Sequence, residues 1–356
     1  MVQSDVHSLI QEGRRRADRI GRDVLVSLVT SVEAVDPTAF FSLDASRYAG
    51  RRFFWFDPVT RVTMVGLGRA LTVEPSDMES RFEAVEREWR RIANDALVSE
   101  GVPAWAGPLL FGGFSFDPKA RKTALWRNYP HTRFVVPEFM LTAADGECWL
   151  TTNRIISPYG AEEETAEIDL ARVRRSSKHD GRSAMTIHEE EIDPSGWMRA
   201  VEEAAALVRG GRLEKIVLAR ELRLHADKPF DAAAILERLY STHTNTYVFA
   251  FEYGEDCLIG ATPERLIKSC GNRLMTTCLA GSIGRGRTEA EDAELGVKLI
   301  NDVKNLHEHE LAVRMISDTM KRYCVSVEMP ERPILYKLKN IQHLYTPVSG
   351  EAAEGV

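Results

Sequence analysis

The chain has 356 residues, of which 46 are Lys or Arg and 53 are Asp or Glu, so its formal net charge at pH 7 is −7. This mildly acidic balance argues against a general nucleic-acid binder and against a polybasic membrane-surface protein. Charged residues make up 28% of the chain and hydrophobic residues 44%, a globular composition. No charge-free stretch approaches the ~18 apolar residues that a membrane span requires. We therefore predict a soluble globular protein.

The N-terminus and the cysteines are both typical of a cytoplasmic protein. Residues 1–22 carry several arginines but no apolar core before a small-residue cleavage site, so we expect no secretory signal. An odd number of cysteines without a C-x-x-C pair favours reduced, buried thiols over a disulfide framework. The cysteines are Cys148, Cys257, Cys270, Cys278 and Cys324.

The N-terminal part, residues 1–156, is predicted to combine helices with several strands. Residues 1–22 have apolar side chains at helical spacing, which predicts an amphipathic surface helix. Ser76 and Glu79 have the spacing of a capping box, and a helix with one apolar face follows them. Apolar runs predict the strands, which are Arg52–Phe56, Val62–Gly66, Leu110–Phe116, Phe134–Thr142 and Cys148–Ile155.

Residues 157–193 are predicted to be a solvated connector, because charged side chains crowd there with few apolar ones. The C-terminal part, residues 194–356, mixes strands and helices without regular β-α-β alternation, which predicts an α+β fold. Its predicted elements are a helix over Ser195–Arg209, a strand over Leu213–Leu224, a helix over Ala232–Tyr240, strands over Thr246–Tyr253, Cys257–Ala261 and Leu274–Leu279, and a long helix over Thr288–Tyr323.

The first chemical candidate is Lys215, in the apolar run LEKIVLARELRL. On a strand, Lys215 shares its face with Val217 and Ala219, and the opposite face is apolar too, so this strand is predicted to be buried on both sides. Burial lowers the pKa of a lysine and can leave a neutral amine that acts as a base. The alternative is a lysine near the strand end whose ammonium reaches solvent.

The second candidate is Glu264, in the run IGATPERL. Pro263 fixes the backbone at the start of a turn and would hold Glu264 rigidly beside the end of a strand. A carboxyl held there against apolar neighbours can keep its proton and act as a general acid. The alternative is an ordinary acidic residue in the first turn of a helix, where the helix dipole favours it.

Two further segments suit an anionic ligand or a metal ion. LAGSIGRGR, residues 279–287, combines three glycines with Arg285 and Arg287, which suits a carboxylate or phosphate but matches no nucleotide-binding pattern. In KNLHEHE, residues 304–310, Glu308 offers an oxygen ligand suited to Mg²⁺ if it faces inward. The alternatives are a plain glycine turn and a surface pair of Lys304 with Glu308. H-E-H lacks the H-E-x-x-H spacing of a zinc protease.

Together these segments resemble the chorismate-utilising enzymes, the family of isochorismate, salicylate, anthranilate and aminodeoxychorismate synthases. Each motif alone is unspecific, but seven in the family's order are specific, and they extend over roughly Pro194–Gly350. The motifs are KIVLAR, FAFE, IGATPERL, LAGSIGRGR, the pair Glu291-Asp292, the K-x-x-x-E-H of Lys304–His309 and the N-x-Q-H-L of Asn340–Leu344.

The resemblance implies a layered α/β/β/α sandwich, with two large sheets face to face and helices outside. It implies that Lys215 is the base that activates a water for attack at C2 of chorismate, and that Glu264 is the acid that protonates the departing C4 hydroxyl. It also implies Mg²⁺ as cofactor, with Glu308 as a metal ligand. The residues with implied substrate contacts are Ala280, Gly281, Ser282 and His343.

Within the family, the chain most resembles the isochorismate synthases of the menaquinone pathway. Ala280 occupies the position of the nucleophilic lysine of typical aminodeoxychorismate synthases. The N-terminal part also lacks the L-L-E-S-type motif that tryptophan-regulated anthranilate synthases usually carry. The resemblance therefore implies a cytoplasmic isomerase that acts on chorismate, with no obligate glutaminase subunit and no nucleic-acid or membrane partner.

Family members continue beyond N-x-Q-H-L with an H-P-T-P-A-V-G-G segment and with further glutamates that complete the magnesium site. The H-P-T-P-A-V-G-G segment does not occur after His343, and the glutamates that follow it in the family are absent. The resemblance therefore implies a C-terminally truncated chain in which Glu308 stands alone among the expected metal ligands. Two alternatives stay open. One is a salicylate synthase or a siderophore-pathway isochorismate synthase, and the other is an inactive truncated fold that acts only as an interaction protein.

Overall fold

The computed structural model describes residues 2–160, 167–175 and 185–356, so the predicted connector at 157–193 lies partly outside the described residues. None of the helices in these ranges is both long enough and apolar enough to cross a membrane. The described helices are α1 (Val2–Ile20), α2 (Pro37–Phe41), α3 (Ala45–Tyr48), α4 (Arg81–Asp95), α5 (Leu170–Arg175), α6 (Pro194–Arg209), α7 (Ala232–Thr242), α8 (Glu289–Ile300) and α9 (Val303–Tyr323).

The strands confirm the predicted α+β class, since most of them form antiparallel sheets and none is part of a regular β-α-β series. They are β1 (Val24–Val32), β2 (Arg52–Phe56), β3 (Thr63–Leu67), β4 (Leu71–Val73), β5 (Leu97–Val98), β6 (Phe111–Phe114), β7 (Thr132–Val136), β8 (Phe139–Ala144), β9 (Glu147–Ile156), β10 (Ile187–Glu191), β11 (Leu222–Ala226), β12 (Tyr247–Tyr253), β13 (Asp256–Thr262), β14 (Lys268–Cys270), β15 (Arg273–Gly284), β16 (Cys324–Glu328), β17 (Ile334–Lys337) and β18 (Ile341–Ala352).

The chain forms two compact units, each made of two chain segments. Unit 1 comprises Met1–Gly181 and Asp231–Ala261, and unit 2 comprises Arg182–Phe230 and Thr262–Val356. The predicted boundaries at 156 and 194 stay predictions, but residues 231–261, expected in the C-terminal part, group with unit 1. The physical reason is strand pairing, because β12 pairs antiparallel with β2 and Phe251 stands opposite Phe53.

Unit 1 is built on an eight-stranded sheet with the order β13-β12-β2-β3-β8-β9-β1-β5 and on a three-stranded sheet with the order β4-β7-β6. Its main core cluster gathers aromatic and aliphatic side chains from α2, α7 and the central strands. Phe40 and Phe41 of α2, Phe54 of β2 and Leu236 of α7 are all fully buried in it. Since each buried aromatic removes on the order of 150–250 Å² from water, this cluster is the main stabilising element of the unit.

A buried ion pair connects β2 to β12 inside unit 1. Arg52 donates from Nε to Oε2 of Glu252 at 2.8 Å and from Nη2 to Oε1 at 2.5 Å. The Gly50 amide donates to the same carboxylate at 3.1 Å. Both side chains are at most 11% exposed. The fork geometry satisfies the carboxylate fully, which is what allows two charges to be buried here.

Unit 2 contains a sheet of five strands and a separate two-stranded ribbon of β10 and β11. In the larger sheet β14, β15, β18 and β16 follow one another, and β17 also pairs with β18. Strands β16 and β17 pair with the same edge of β18 at different positions along it. Strand β16 pairs with Ser349–Ala352, and β17 pairs with Gln342–Tyr345. Helix α9 packs against both β15 and β18.

Four local predictions are wrong. The single strand predicted over Phe134–Thr142 is divided into β7 and β8, which belong to two different sheets. The long helix predicted over 288–323 is interrupted after Ile300, because Asp302 caps a new helix by accepting a hydrogen bond from the Asn305 amide at 2.7 Å. Helix α4 begins after Ser80 and not at a box formed by Ser76 and Glu79. The strand predicted over 213–224 is irregular up to residue 221, and only Leu222–Ala226 is a strand.

The buried pair in unit 1 generates a stability prediction. Glu252→Gln should lower the free energy of unfolding by about 3–5 kcal/mol, because it leaves the Arg52 guanidinium buried without its counter-charge. Urea unfolding followed by circular dichroism measures this loss. The matched control is Glu86→Gln on α4, which removes the exposed pair with Arg90 and should cost only about 0.5 kcal/mol or less. Equal effects of the two substitutions would contradict the importance of the buried pair.

Candidate active site

The residues predicted for the site all lie in unit 2. They are on the C-terminal half of β15, on β18, near the start of α9, in the loop after β13 and in the segment that precedes β11. These residues are Lys215, Glu264, Ala280, Gly281, Ser282, Glu308 and His343. The pairing of β15 with β18 positions Ala280, Gly281, Ser282 and His343.

The pairing of β15 with β18 contains a bulge at the predicted substrate contacts. Leu279 stands opposite Tyr345 and Ser282 stands opposite His343, so Ala280 and Gly281 together face a single residue of β18. Gly281 has a φ of +83°, and a Cβ added there would lie 3.2 Å from Cβ of Asn305 on α9. The extra residue bends β15 at this point, and only glycine fits the bend without strain.

Ser282 and His343 form a hydrogen-bonded pair across the two strands. The Ser282 hydroxyl lies 2.7 Å from Nδ1 of His343. Burial lowers the pKa of His343, while the negative charge of Glu264 acts in the opposite direction. Burial therefore favours the neutral imidazole, and the Glu264 carboxylate is close enough to influence it. Sequence-based reasoning had named all three residues without placing them together.

Glu264 lies in an exposed loop and not in the first turn of a helix, so the alternative interpretation is wrong. The apolar enclosure expected around its carboxyl is also missing, since the residue is exposed. The loop is nevertheless held against β15. The Arg265 amide donates to Oγ1 of Thr277 at 3.2 Å, and the Thr276 hydroxyl donates to the Leu266 carbonyl at 2.7 Å. These hydrogen bonds therefore fix the backbone from which the Glu264 side chain extends.

Lys215 lies in the irregular segment between α6 and β11, which corrects the prediction of a strand buried on both sides. Ile216 and Val217 beside it are 44% and 77% exposed. The Lys215 side chain is one-quarter exposed, and its ammonium lies 3.3 Å from Oε1 of Glu308. The predicted base and the predicted metal ligand are therefore in direct contact, a proximity that neither motif alone could show.

Cys278 on β15 lies within electrostatic range of both the predicted acid and the predicted base. Burial raises the pKa of the Cys278 thiol to about 11, and the two nearby charges act on it in opposite directions. Lys215 lowers this pKa and Glu264 raises it. A thiol with so high a pKa is inert at neutral pH. Cys278 is useful only as a reference point, because Lys215 and Glu264 both act electrostatically on its thiol.

The loop after β15 is closed by an internal ion-pair network, which corrects the expectation that Arg285 offers its charge to a ligand. Arg285 Nε donates to Oδ1 of Asp292 at 2.5 Å, and Lys337 Nζ donates to Oδ2 at 2.7 Å. The Gly286 amide also donates to Oδ1 at 3.1 Å. A Cβ at Gly286 would lie 2.1 Å from the Asp292 amide, so glycine is required here. The loop therefore has a structural role, and the charge of Arg285 is used within it.

Two polar residues near the site, His309 and Thr346, were not among the predicted site residues. His309 follows Glu308 on α9 and is buried against Ala280 and Thr346. The available signal was the alternation along β18, where Leu344, Thr346 and Val348 share one buried face. A polar residue on such a face requires a hydrogen-bonding partner.

The described residues contain no group of three or more His, Cys, Asp or Glu side chains that could hold a metal ion. Glu308 is a single carboxylate, and its ion pair is with Lys215. A single carboxylate fits Mg²⁺ as one ligand, because this ion keeps several waters and often takes its remaining ligands from the substrate.

Comparison with known proteins identifies the family. The family model described as "Chorismate binding enzyme" matches residues 11–356. The chain belongs to the chorismate-binding enzymes. The isochorismate synthase MenF of Bacillus subtilis is 37% identical over 363 residues, which cover 99% of this chain and 77% of that protein. The salicylate biosynthesis isochorismate synthase of Pseudomonas aeruginosa is 29% identical over 349 residues, which cover 95% of this chain and 71% of that protein.

A solved structure of a chorismate-binding enzyme confirms the predicted fold. The menaquinone-specific isochorismate synthase MenF of Escherichia coli superposes with a TM-score of 0.73 at 19% identity, covering 99% of this chain and 77% of that one.

The network around Asp292 generates a pH-dependent prediction. The Arg285 guanidinium and the Lys337 ammonium hold the pKa of Asp292 far below its ordinary value of 3.8. The unfolded chain therefore takes up this proton at a higher pH than the folded chain does. The stabilisation is complete above pH ~4 and is lost as the pH falls through the lowered pKa.

We therefore expect Asp292→Asn to lower the Tm at pH 7 and to differ less and less from the wild type as the pH falls below ~4. Calorimetry across this pH range measures the difference. Asp318→Asn, which removes an exposed pair with Lys321, is the matched control and should change the Tm little at any pH. A Tm difference for Asp292→Asn that stays constant with pH would contradict the assignment.

Proposed function

We propose that this protein is an isochorismate synthase, an isomerase that converts chorismate to isochorismate. The observation that carries the proposal is the contact of Lys215 with Glu308 in a chorismate-binding enzyme, with the charges of Lys215 and Glu264 both acting on Cys278. The names of the similar proteins from Bacillus and Pseudomonas, both isochorismate synthases, support the same activity.

The reaction moves a hydroxyl function from C4 of chorismate to C2. A water attacks C2, the ring double bonds shift, and the C4 hydroxyl leaves as water, so the molecular formula does not change. Lys215 Nζ accepts the proton of the attacking water, and the Glu264 carboxyl gives a proton to the departing hydroxyl. Between turnovers the two groups exchange these protons with solvent, which the partial exposure of both side chains permits.

Lys215 has to be uncharged before it can accept a proton, whereas in this structure its Nζ pairs with the Glu308 carboxylate at 3.3 Å. A change of partner at Glu308 resolves this conflict. We propose Mg²⁺ as that partner and as the cofactor, with Glu308 as one of its ligands. When bound, Mg²⁺ supplies positive charge that neutralises a carboxylate of the substrate. With Glu308 bound to the ion, Lys215 would be free of this ion pair and could act as the base.

The bulge of β15 is proposed to receive a substrate carboxylate through Ala280, Gly281 and Ser282. At a bulge the strand does not complete its ladder, so backbone groups can face a ligand. His343 extends the same site, since it is hydrogen-bonded to Ser282. Because water is the nucleophile, the reaction requires no ammonia-supplying glutaminase subunit.

We propose that the activity serves menaquinone biosynthesis in the cytoplasm, on the resemblance of the sequence motifs to the isochorismate synthases of that pathway. Incubation with chorismate and Mg²⁺, followed by chromatography of the products, tests the activity. Isochorismate alone is the expected product. Salicylate with pyruvate would assign the chain to the salicylate synthases, and unchanged chorismate would overturn the proposal.

Removal of the base should abolish turnover while binding persists. Lys215→Ala should lower kcat by about 10²–10⁴-fold, the usual contribution of general base catalysis, and change the chorismate dissociation constant much less. Steady-state kinetics and equilibrium binding separate these two quantities. Lys321→Ala, at an exposed lysine of α9, is the control and should retain full activity. Near wild-type kcat in Lys215→Ala would show that the base is another group.

Mg²⁺ binding should depend on the substrate. Mg²⁺ alone at millimolar concentration should not raise the Tm, because a single carboxylate already paired with a lysine binds the ion weakly. Mg²⁺ with chorismate should raise the Tm more than chorismate alone does, and Glu308→Gln should remove this extra increase. An extra increase that persists in Glu308→Gln would place the metal on other residues.

A further inference from the structure

The most deeply buried titratable side chain near the site has no role in the chemistry proposed above. His309 is 1% exposed and lies on α9, directly after Glu308. A buried polar ring is costly unless both nitrogens have hydrogen-bonding partners. Both partners of His309 belong to the two strands that form the bulge.

The two hydrogen bonds define which nitrogen carries the hydrogen. His309 Nδ1 lies 3.0 Å from the carbonyl oxygen of Ala280, and Nε2 lies 2.8 Å from Oγ1 of Thr346. A carbonyl oxygen only accepts, so Nδ1 is the donor in the first bond. Nε2 then accepts from the Thr346 hydroxyl, which can serve as donor or acceptor.

The Ala280 carbonyl belongs to the part of β15 that is out of register. Between the pairs Leu279–Tyr345 and Ser282–His343, the residues Ala280 and Gly281 stand opposite one residue of β18. The ladder therefore does not fix the orientation of these peptide groups, and the imidazole of His309 supplies the contact in its place. Thr346 lies on β18, two residues from Leu344, which is the residue that faces the bulge. Its hydroxyl anchors the imidazole ring to β18.

We propose that His309 is the positioning residue that holds the Ala280–Gly281 bulge in the conformation that receives the substrate carboxylate. The inference rests on the proposed function, because it presumes that the bulge binds chorismate. Since Glu308 and His309 are consecutive on α9, one helix sets both the Glu308 carboxylate and the bulge. A shift of the bulge therefore changes its distance from Glu308, and substrate binding suffers first.

Two amide substitutions distinguish the two nitrogens of the ring. Asparagine can place its side-chain NH₂ near the position of Nδ1, so His309→Asn keeps the donor to Ala280. Glutamine places its amide near the position of Nε2, so His309→Gln keeps the contact with Thr346 and loses the donor to Ala280. Both replace a buried ring by a smaller amide and should lower the Tm by similar amounts.

We expect the two variants to differ in their KM for chorismate. His309→Gln should raise the KM for chorismate roughly tenfold, the factor that corresponds to the loss of one hydrogen bond, with a smaller change in kcat. His309→Asn should stay close to the wild-type KM. A merely structural role would lower the Tm of both variants and leave the KM unchanged in both.

Amide hydrogen exchange provides a readout that does not require activity. Exchange at Gly281 and Ser282 should be faster in His309→Gln than in the wild type, and His309→Asn should resemble the wild type. Failure of the wild type to convert chorismate would refute the proposed function, while this comparison would still decide the positioning role.

A second pair of variants leaves His309 itself intact. Thr346→Val removes the hydroxyl that anchors the ring, and Thr346→Ser keeps it. The valine variant should show faster exchange at the bulge and a higher KM, and the serine variant should not. The proposal is overturned if neither pair of variants separates in exchange or in KM.

Discussion

The bulge in the pairing of β15 with β18 is the constraint on which the candidate site depends. One extra residue in β15 bends the strand, brings Ser282 opposite His343, and leaves the Ala280 carbonyl to the imidazole of α9. With a regular ladder, side chains beyond Leu279 would point to the opposite face of the sheet. The glycine at 281 is therefore a requirement of the site and not only of a turn.

Much of the fold could be predicted because local patterns determine it. The predicted strands Arg52–Phe56 and Val62–Gly66 and the helix over 194–209 lie within a few residues of their predicted positions, since alternation and helical periodicity are properties of short segments. The family, too, followed from motif order. The grouping of 231–261 with unit 1 could not be predicted, because it depends on the pairing of β12 with a strand far away in the sequence.

In the site, too, the sequence identified the residues but did not predict their surroundings. Motifs identified Lys215, Glu264 and Glu308, but the environment of each differs from the expectation. Apolar neighbours around Lys215 were interpreted as a buried strand, whereas Val217 is largely exposed and the lysine contacts a carboxylate. Burial and partners are properties of the assembled unit, and His309 had no visible role until α9 was placed against Thr346.

The division of unit 2 into two chain segments has a kinetic consequence. Lys215 belongs to the segment Arg182–Phe230 and its partner Glu308 to the segment Thr262–Val356, while the intervening residues fold into the other unit. Closing so long a loop is slow, and contacts between distant residues form late in folding. Native secondary structure should therefore be regained before the ability to bind substrate. Circular dichroism would then report recovery of secondary structure before the chain can bind its substrate.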